Sequence, residues 1–405
     1  VGEGSKAIER FGADPWELLR DDLSQELMLA LAEGPRAMDE LRELLGVRAL
    51  ERIGVLARHG LVEIVGSSCA TSVPVLTDSK ARELRAELAP IAEGIAELVE
   101  RRLDELESAY FRTSISREFG WSEVAHIVVD ALLLDFSMLS CAEFLLAREG
   151  LLENWSEEQL LMPFFGMEIG PSVANLGVNS YGLGGFGISL IHGSIVRREI
   201  RFSRLIEIVQ REEIPSELSS VGRARSVPET LVDLGLVRAS GRGYELAIPL
   251  FKGGDKRLLT EAVVAVAHEA AETLVARYPL IERAFGDLGF SKWLRGVGDF
   301  VELSFHVAMA LSVERLIERG ALPPVPEEAP ASWGVWMWSS PWTLSLDVLC
   351  RHALEDVREI LAERGAIATV EDLVQRVEEL VREGEYEEAL RELRRVLDLY
   401  RFSRS

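Results

Sequence analysis

Five side chains in the apolar middle of the sequence have the types and spacing to do chemistry. His126 and Asp130 stand four residues apart, and Asp299, Glu302 and His306 follow one another at intervals of three and four. On a helix those intervals bring side chains to one face. Imidazoles and carboxylates converging there are the donors that a metal ion or a small polar ligand would use. Buried ionisable groups are costly unless paired, so the plainer outcome is pairing with arginines such as Arg148 or Arg295. No second ligand motif of characteristic spacing accompanies the five, so neither a metal nor a cofactor is expected.

Other candidates are weaker. Tyr181-Gly182-Leu183-Gly184-Gly185-Phe186-Gly187 is rich enough in glycine for a phosphate loop. Such a loop follows a buried strand, and Ser172 to Ser180 offers no such run, so the glycines are read as structural in an irregular packed segment. Trp333, Trp336, Trp338 and Trp342 could line a ligand pocket and are read instead as core under a loop. His59, His192, His268 and His352 are scattered. No Ser-His-Asp or Cys-His arrangement follows from spacing, no catalytic residue is assigned, and an enzyme is not expected.

The elements that must position these groups are mostly helices. EVAHIVVDALLLDFSMLSCAEFLLAREGLL is apolar nearly all round and predicts a buried helix or helix pair. The apolar run from Ala125 to Cys141 is broken by His126, Asp130 and Asp135, which argues against a membrane span. VGEGSKAIERFG has no basic start followed by an apolar stretch, so a cytoplasmic protein without a membrane partner is expected.

Gly34 to Val65 is patterned differently. Met38, Leu41, Leu44 and Leu45 mark one short helix, Gly46-Val47 a turn, and Leu50, Ile53, Leu56 and Ala57 a second helix. Gly60 ends that helix, and Leu61-Val62-Glu63-Ile64-Val65 alternates as the first strand of a hairpin. Residues 20 to 78 resemble winged-helix transcription regulators of the ArsR-like and MarR-like kind. The resemblance implies that the second helix enters the major groove with Arg48, Ala49, Glu51, Arg52 and Arg58 towards DNA, while Leu50, Ile53 and Leu56 face the core. It extends to neither arsenic nor zinc sensing, because Ala37 to Leu41 holds no cysteine.

A similar pattern begins again near Arg197. Asp233-Leu234-Gly235-Leu236-Val237-Arg238 matches Arg58-His59-Gly60-Leu61-Val62-Glu63, and Pro249 follows Gly235 at the distance at which Pro74 follows Gly60. Arg223 to Leu234 is read as the equivalent of the recognition helix, shortened or kinked by Pro228, and Gly241-Arg242-Gly243 as a tight wing tip; Arg223, Arg225, Arg238 and Arg242 make this second head the more basic one and are its DNA contacts. Downstream, Leu288 to Ser291 parallels Phe119 to Ser122, and Glu318-Arg319-Gly320 parallels Arg148-Glu149-Gly150. The expected fold class is mainly α with small β-wings: tandem duplicated winged-helix domains plus helical segments, arranged as a pseudo-dimer.

The segments are 1–15, an arm; 16–78, the first winged helix; 79–196, helical and Gly-rich; 197–252, the second winged helix; 253–343, helices with a Pro-rich linker and the tryptophans; and 344–405, terminal helices. Within the last, Gly384 breaks a helical hairpin whose Glu385 to Leu390 resembles a tetratricopeptide half-turn; one hairpin suits capping, dimerisation or docking to a protein partner.

Composition bounds these readings. A hydrophobic share of 48 % and a charged share of 27 % describe a globular chain. Three separated cysteines exclude a disulfide framework. Few asparagines and glutamines and more arginine than lysine fit a thermophile. A net charge of −23 is unfavourable for a phosphate-binding protein, so DNA affinity needs local arginine clusters. The expected function is a DNA-binding transcriptional regulator acting on double-stranded DNA and responsive to a ligand between its repeats. The alternative is a tandem winged-helix protein-interaction scaffold with little DNA binding.

Overall fold

Glycine and proline punctuation cuts the chain into short helices and hairpins at its start and long helices thereafter. A computed structural model describes residues 12–151, 166–168, 170–183, 186–194, 218, 222–241, 243–294, 296–327, 330–340, 343–364 and 368–402. The chain divides into two units. The first comprises residues 1–88, 153–174 and 279–304; the second comprises 89–152, 175–278 and 305–405. It is mainly helical with a few small sheets.

In the first unit, α1 (Asp22–Leu31), β1 (Arg36–Ala37), α2 (Met38–Leu45), α3 (Arg48–Arg58), β2 (Val62–Val65) and β3 (Ser68–Thr71) follow in that order. The sheet order is β1-β3-β2, all antiparallel. Leu27, Leu31, Leu41, Ile53, Leu56 and Leu61, all fully buried, form the core. Burial of that many large aliphatic side chains, at about 1.5–3 kcal/mol each, outweighs the cost of Gly54 inside α3. Gly60 (φ +71°) lets the Leu61 N–H reach back to the Leu56 carbonyl at 3.0 Å, and α3 ends there. β4 (Val75–Leu76) pairs in parallel with β5 (Gly166–Met167). α4 (Asp78–Phe111) starts in this unit, with Asp78 accepting from the Ser172 N–H at 2.8 Å. Trp293 donates to the Thr71 carbonyl at 3.0 Å and lies under the Lys80 ammonium.

In the second unit, α5 (Trp121–Arg148) is α-helical to His126, π-helical over Ile127–Met138 and α-helical again from Leu139. By length and composition its stretch Trp121–Leu146 is enough to cross a membrane, contrary to the reading of 125–141 as too interrupted; the stretch is mostly buried within the protein's own packing. A hairpin of β6 (Leu176–Leu183) and β7 (Phe186–Gly193) packs on it. The segment expected to be irregular is thus a regular hairpin. Its glycines weaken strand propensity but make room: a Cβ at Gly187 would meet the Trp338 ring at 2.3 Å.

β8 (Arg223–Ala224), α6 (Glu229–Asp233), β9 (Val237–Ser240) and β10 (Gly243–Leu246) come next, with sheet order β8-β10-β9. β11 (Leu250–Phe251) joins the hairpin through a later strand, β12 (Val335–Trp338), in the order β11-β12-β7-β6. α7 (Gly253–Val275) packs against α5. α8 (Val297–Glu318) begins in the first unit and continues in the second. α9 (Leu346–Arg364), α10 (Ala368–Glu383) and α11 (Tyr386–Phe402) close the chain, with Gly384 (φ +83°) breaking the hairpin where expected. α11 packs against α9, α10 and the end of α5, so the terminal hairpin docks on its own chain.

The two β-rich segments share internal geometry at a spacing of 175 residues. Gly235 (φ +68°) ends α6 as Gly60 ends α3, with the Leu236 N–H on the Leu231 carbonyl at 3.0 Å. β4 and β11 each pair in parallel with a later strand, the Gly166 N–H donating to Pro74 and the Met337 N–H to Pro249. The spacing breaks upstream of α6. Arg36 pairs with Cys69, and Ala224 pairs with Tyr244, which puts the first strands 188 residues apart and leaves thirteen residues fewer in the second segment. The stretch read as a recognition helix, Arg223 to Leu234, is therefore a two-residue strand, an irregular link over 225–228 and five helical residues. Pro228 starts the helix rather than interrupting it. The helix expected over Arg201 to Glu212 lies outside the described residues.

Candidate functional site

α3 presents an open face. Arg48, Glu51 and Arg58 are exposed there, and among the described residues Arg48 and Arg58 have no ion pair. Two residues assigned to this face stand elsewhere. Ala49 is fully buried in the core. Arg52 reaches across to α1, where its guanidinium donates to the Ser24 hydroxyl, the Leu18 carbonyl and Asp21. Burial raises the pKa of Asp21, but bonds from Ser24 and the charge of Arg52 outweigh it and hold the carboxyl below its usual range. Arg36 and Arg42 pair with Glu40 and Asp39.

The same unit exposes apolar side chains: Leu44 (60 %) and Val47 (72 %) at the turn before α3, and Ile64 (44 %) and Val65 (64 %) at the hairpin tip. Leu44 marks α2 in the sequence together with the buried Leu41. Helical spacing alone could not distinguish it from Leu41, because α2 is only eight residues long and packs through a narrow stripe.

In the second β-rich segment, Arg223 and Arg238 flank Glu245 from the two neighbouring strands, at 3.7 and 3.0 Å. Arg225 is exposed. Arg242 lies outside the described residues. Arg223 and Arg225, expected on a helix, therefore sit on and beside a sheet, and Arg223 shares the Glu245 carboxylate with Arg238 of the hairpin strand.

The buried polar cluster forms in part. His126, 4 % exposed, places Nδ1 2.7 Å from Asp130 Oδ2 and Nε2 2.8 Å from the Pro323 carbonyl. A carbonyl can only accept, so Nε2 carries a proton, and Nδ1 and the carboxylate share another. Burial works against the charged ring, yet Asp130 and Pro323 raise its pKa above the ordinary value; burial pushes Asp130 up too. Asp130 Oδ1 is buried with no hydrogen-bond partner among the described residues. Among the described residues neither His126 nor Asp130 pairs with an arginine; Arg148 pairs with Glu149, and Arg295 is outside the described residues.

His306 approaches Asp135 at 3.7 Å, and a Cβ at Gly177 would stand 3.1 Å from the His192 ring and 3.7 Å from that of His306. Burial and the neighbouring His306 push His192 down to about 4. Asp299 and Glu302 share α8 with His306 but belong to the first unit, whereas the other members belong to the second. Asp135 and His192 were missed by sequence spacing: Asp135 joins the cluster through π winding, and His192 lies on a strand. Trp336 and Trp338 are fully buried in β12, as core, and the His126 ring is 5.2 Å from that of Trp333. Trp342 is not among the described residues.

No family model matches this sequence, and no curated protein or solved structure matches it either.

Proposed function

We propose that residues 22–76 are a winged helix-turn-helix head and that the chain is a DNA-binding regulator carrying one reading head. The observation that carries this reading is the order helix, strand, helix, helix, strand, strand, with the β1-β3-β2 sheet, which leaves one face of α3 open, with no ion pair on Arg48 or Arg58 among the described residues. The 175-residue spacing supports descent of the second segment from a duplicate of the first. With thirteen residues fewer, that copy keeps the hairpin and shortens the counterpart of the recognition helix to five residues. It is a structural or phosphate-gripping remnant rather than a second reader. The buried His126 and Asp130 pair is, on this reading, a packing device.

A second reading has its own observation. Leu44, Val47, Ile64 and Val65 are exposed where a DNA-binding head would carry polar groups, and the whole chain has a charge of −23. A protein partner would use such an apolar surface. Fluorescence anisotropy with random-sequence duplex at low and moderate salt separates the two. Binding that falls steeply with salt supports phosphate contacts and the regulator. Absence of binding at low salt removes the DNA reading and leaves the scaffold.

A further inference from the structure

Two helices of the second unit each carry a histidine and an acidic residue one turn apart: His268 and Glu272 on α7, His352 and Asp356 on α9. The helices pack together, and one ligand atom from each of His268, His352 and Asp356 comes within 4.8 Å of the other two. The imidazoles meet edge to face, 5.2 Å between ring centres. Both Nε2 atoms are buried and make no hydrogen bond among the described residues. His268 Nε2 lies 3.4 Å from Asp356 Oδ1.

We propose that His268, His352 and Asp356 bind a borderline divalent transition ion of the zinc class. Bonds of 2.0–2.1 Å in a tetrahedron put neighbouring ligand atoms about 3.4 Å apart, the separation between His268 Nε2 and Asp356 Oδ1. Imidazole nitrogens favour this class over magnesium or calcium, which take oxygen ligands. Glu272 stands 3.8 Å from His268 Nδ1, on the side of the ring away from Asp356. That is the place of the outer carboxylate that orients a metal-bound imidazole. Three protein ligands leave a fourth position for water or an exogenous donor. The site is independent of the DNA-binding proposal.

The test uses full-length protein stripped with a chelator and titrated with Co2+, whose visible absorption reports tetrahedral nitrogen and oxygen ligation. The expected result is one equivalent bound, displaced by Zn2+. H268A and H352A should remove the absorption, and E272Q should weaken affinity about 10- to 100-fold. Should the alanine variants fold poorly by circular dichroism, H268Q and H352Q serve. Zn2+ should raise the melting temperature of wild type and leave that of H352Q unchanged. Absence of a Co2+ band in the wild type, binding that survives loss of both His268 and His352, or loss of binding in H306A instead would overturn the proposal.

Discussion

Arg52 of α3 donates its guanidinium to the carboxylate of Asp21, which caps the start of α1 thirty-one residues earlier. Because the same group also serves Ser24 and Leu18, it fastens the two helices of the head together. Arg52→Ala is expected to destabilise the head by about 1.5–3 kcal/mol, the range for hydrogen bonds to a charged group. Amide hydrogen exchange over α1 and α3 should accelerate accordingly. Wild-type exchange in that variant would mean the clasp has no structural value.

Arg48 and Arg58 behave oppositely if the DNA reading holds. Replacing either with alanine should change stability by less than about 0.5 kcal/mol, because neither has an ion pair among the described residues. Each should flatten the dependence of log affinity on log salt by about one unit if it meets a phosphate. Slopes equal to wild type in both variants would count against α3 as the contacting helix.

The histidines predict two opposite pH dependences. His126 has a raised folded pKa, so its contribution to stability is complete below about 6.5, its unfolded value, and is lost as pH rises through the folded value. Asp130, also raised, acts in the same direction. His192 is depressed to about 4, so it costs stability as pH falls below about 6.5, by about 1.4 kcal/mol per unit until about 4. Melting curves from about pH 5 to about pH 9 should show His126→Asn flattening the alkaline side and His192→Gln the acid side. Identical profiles in all three proteins would contradict both assignments.

Gly187 tests the sheet. An alanine methyl there would enter the ring of Trp338, which is fully buried and cannot swing away. Gly187→Ala should cost about 1–3 kcal/mol by overpacking, read as a lower denaturant midpoint, whereas Gly241→Ala, where a Cβ meets nothing, should not. Equal midpoints would show that β12 yields to the methyl.

Much of the architecture could be read from residues that act locally. Gly60, Gly235 and Gly384 announce helix ends because their backbone conformations have positive φ, a region that other residues avoid. His126 and Asp130 meet because four residues make one turn. What stayed hidden depends on distant partners. The glycines of β6 and β7 make sense only once Trp338 and the histidine rings lie over them. Arg52 looked like a reader because its acceptors sit on another helix. His268 and His352 looked scattered because 84 residues separate them, though each has an acidic residue four positions on.

The π-helical stretch Ile127–Met138 has a consequence for tolerance to insertion and deletion. α5 contains six, twelve and ten residues in its three parts against 22 in α8. Both helices end on the same kind of cap: Gly150 (φ +69°) and Gly320 (φ +72°) each let the next N–H reach a carbonyl five residues back, at 2.9 Å. Six more residues wound as α-helix would lengthen a rod by about 9 Å. Bonds from i to i+5 take up more residues per unit length, so α5 absorbs part of that excess internally, without a loop. Removing one residue between 127 and 138 would let a turn tighten to α and leave both ends of the helix in place. The same deletion within α8 would turn every later side chain by about 100° and misface its buried row.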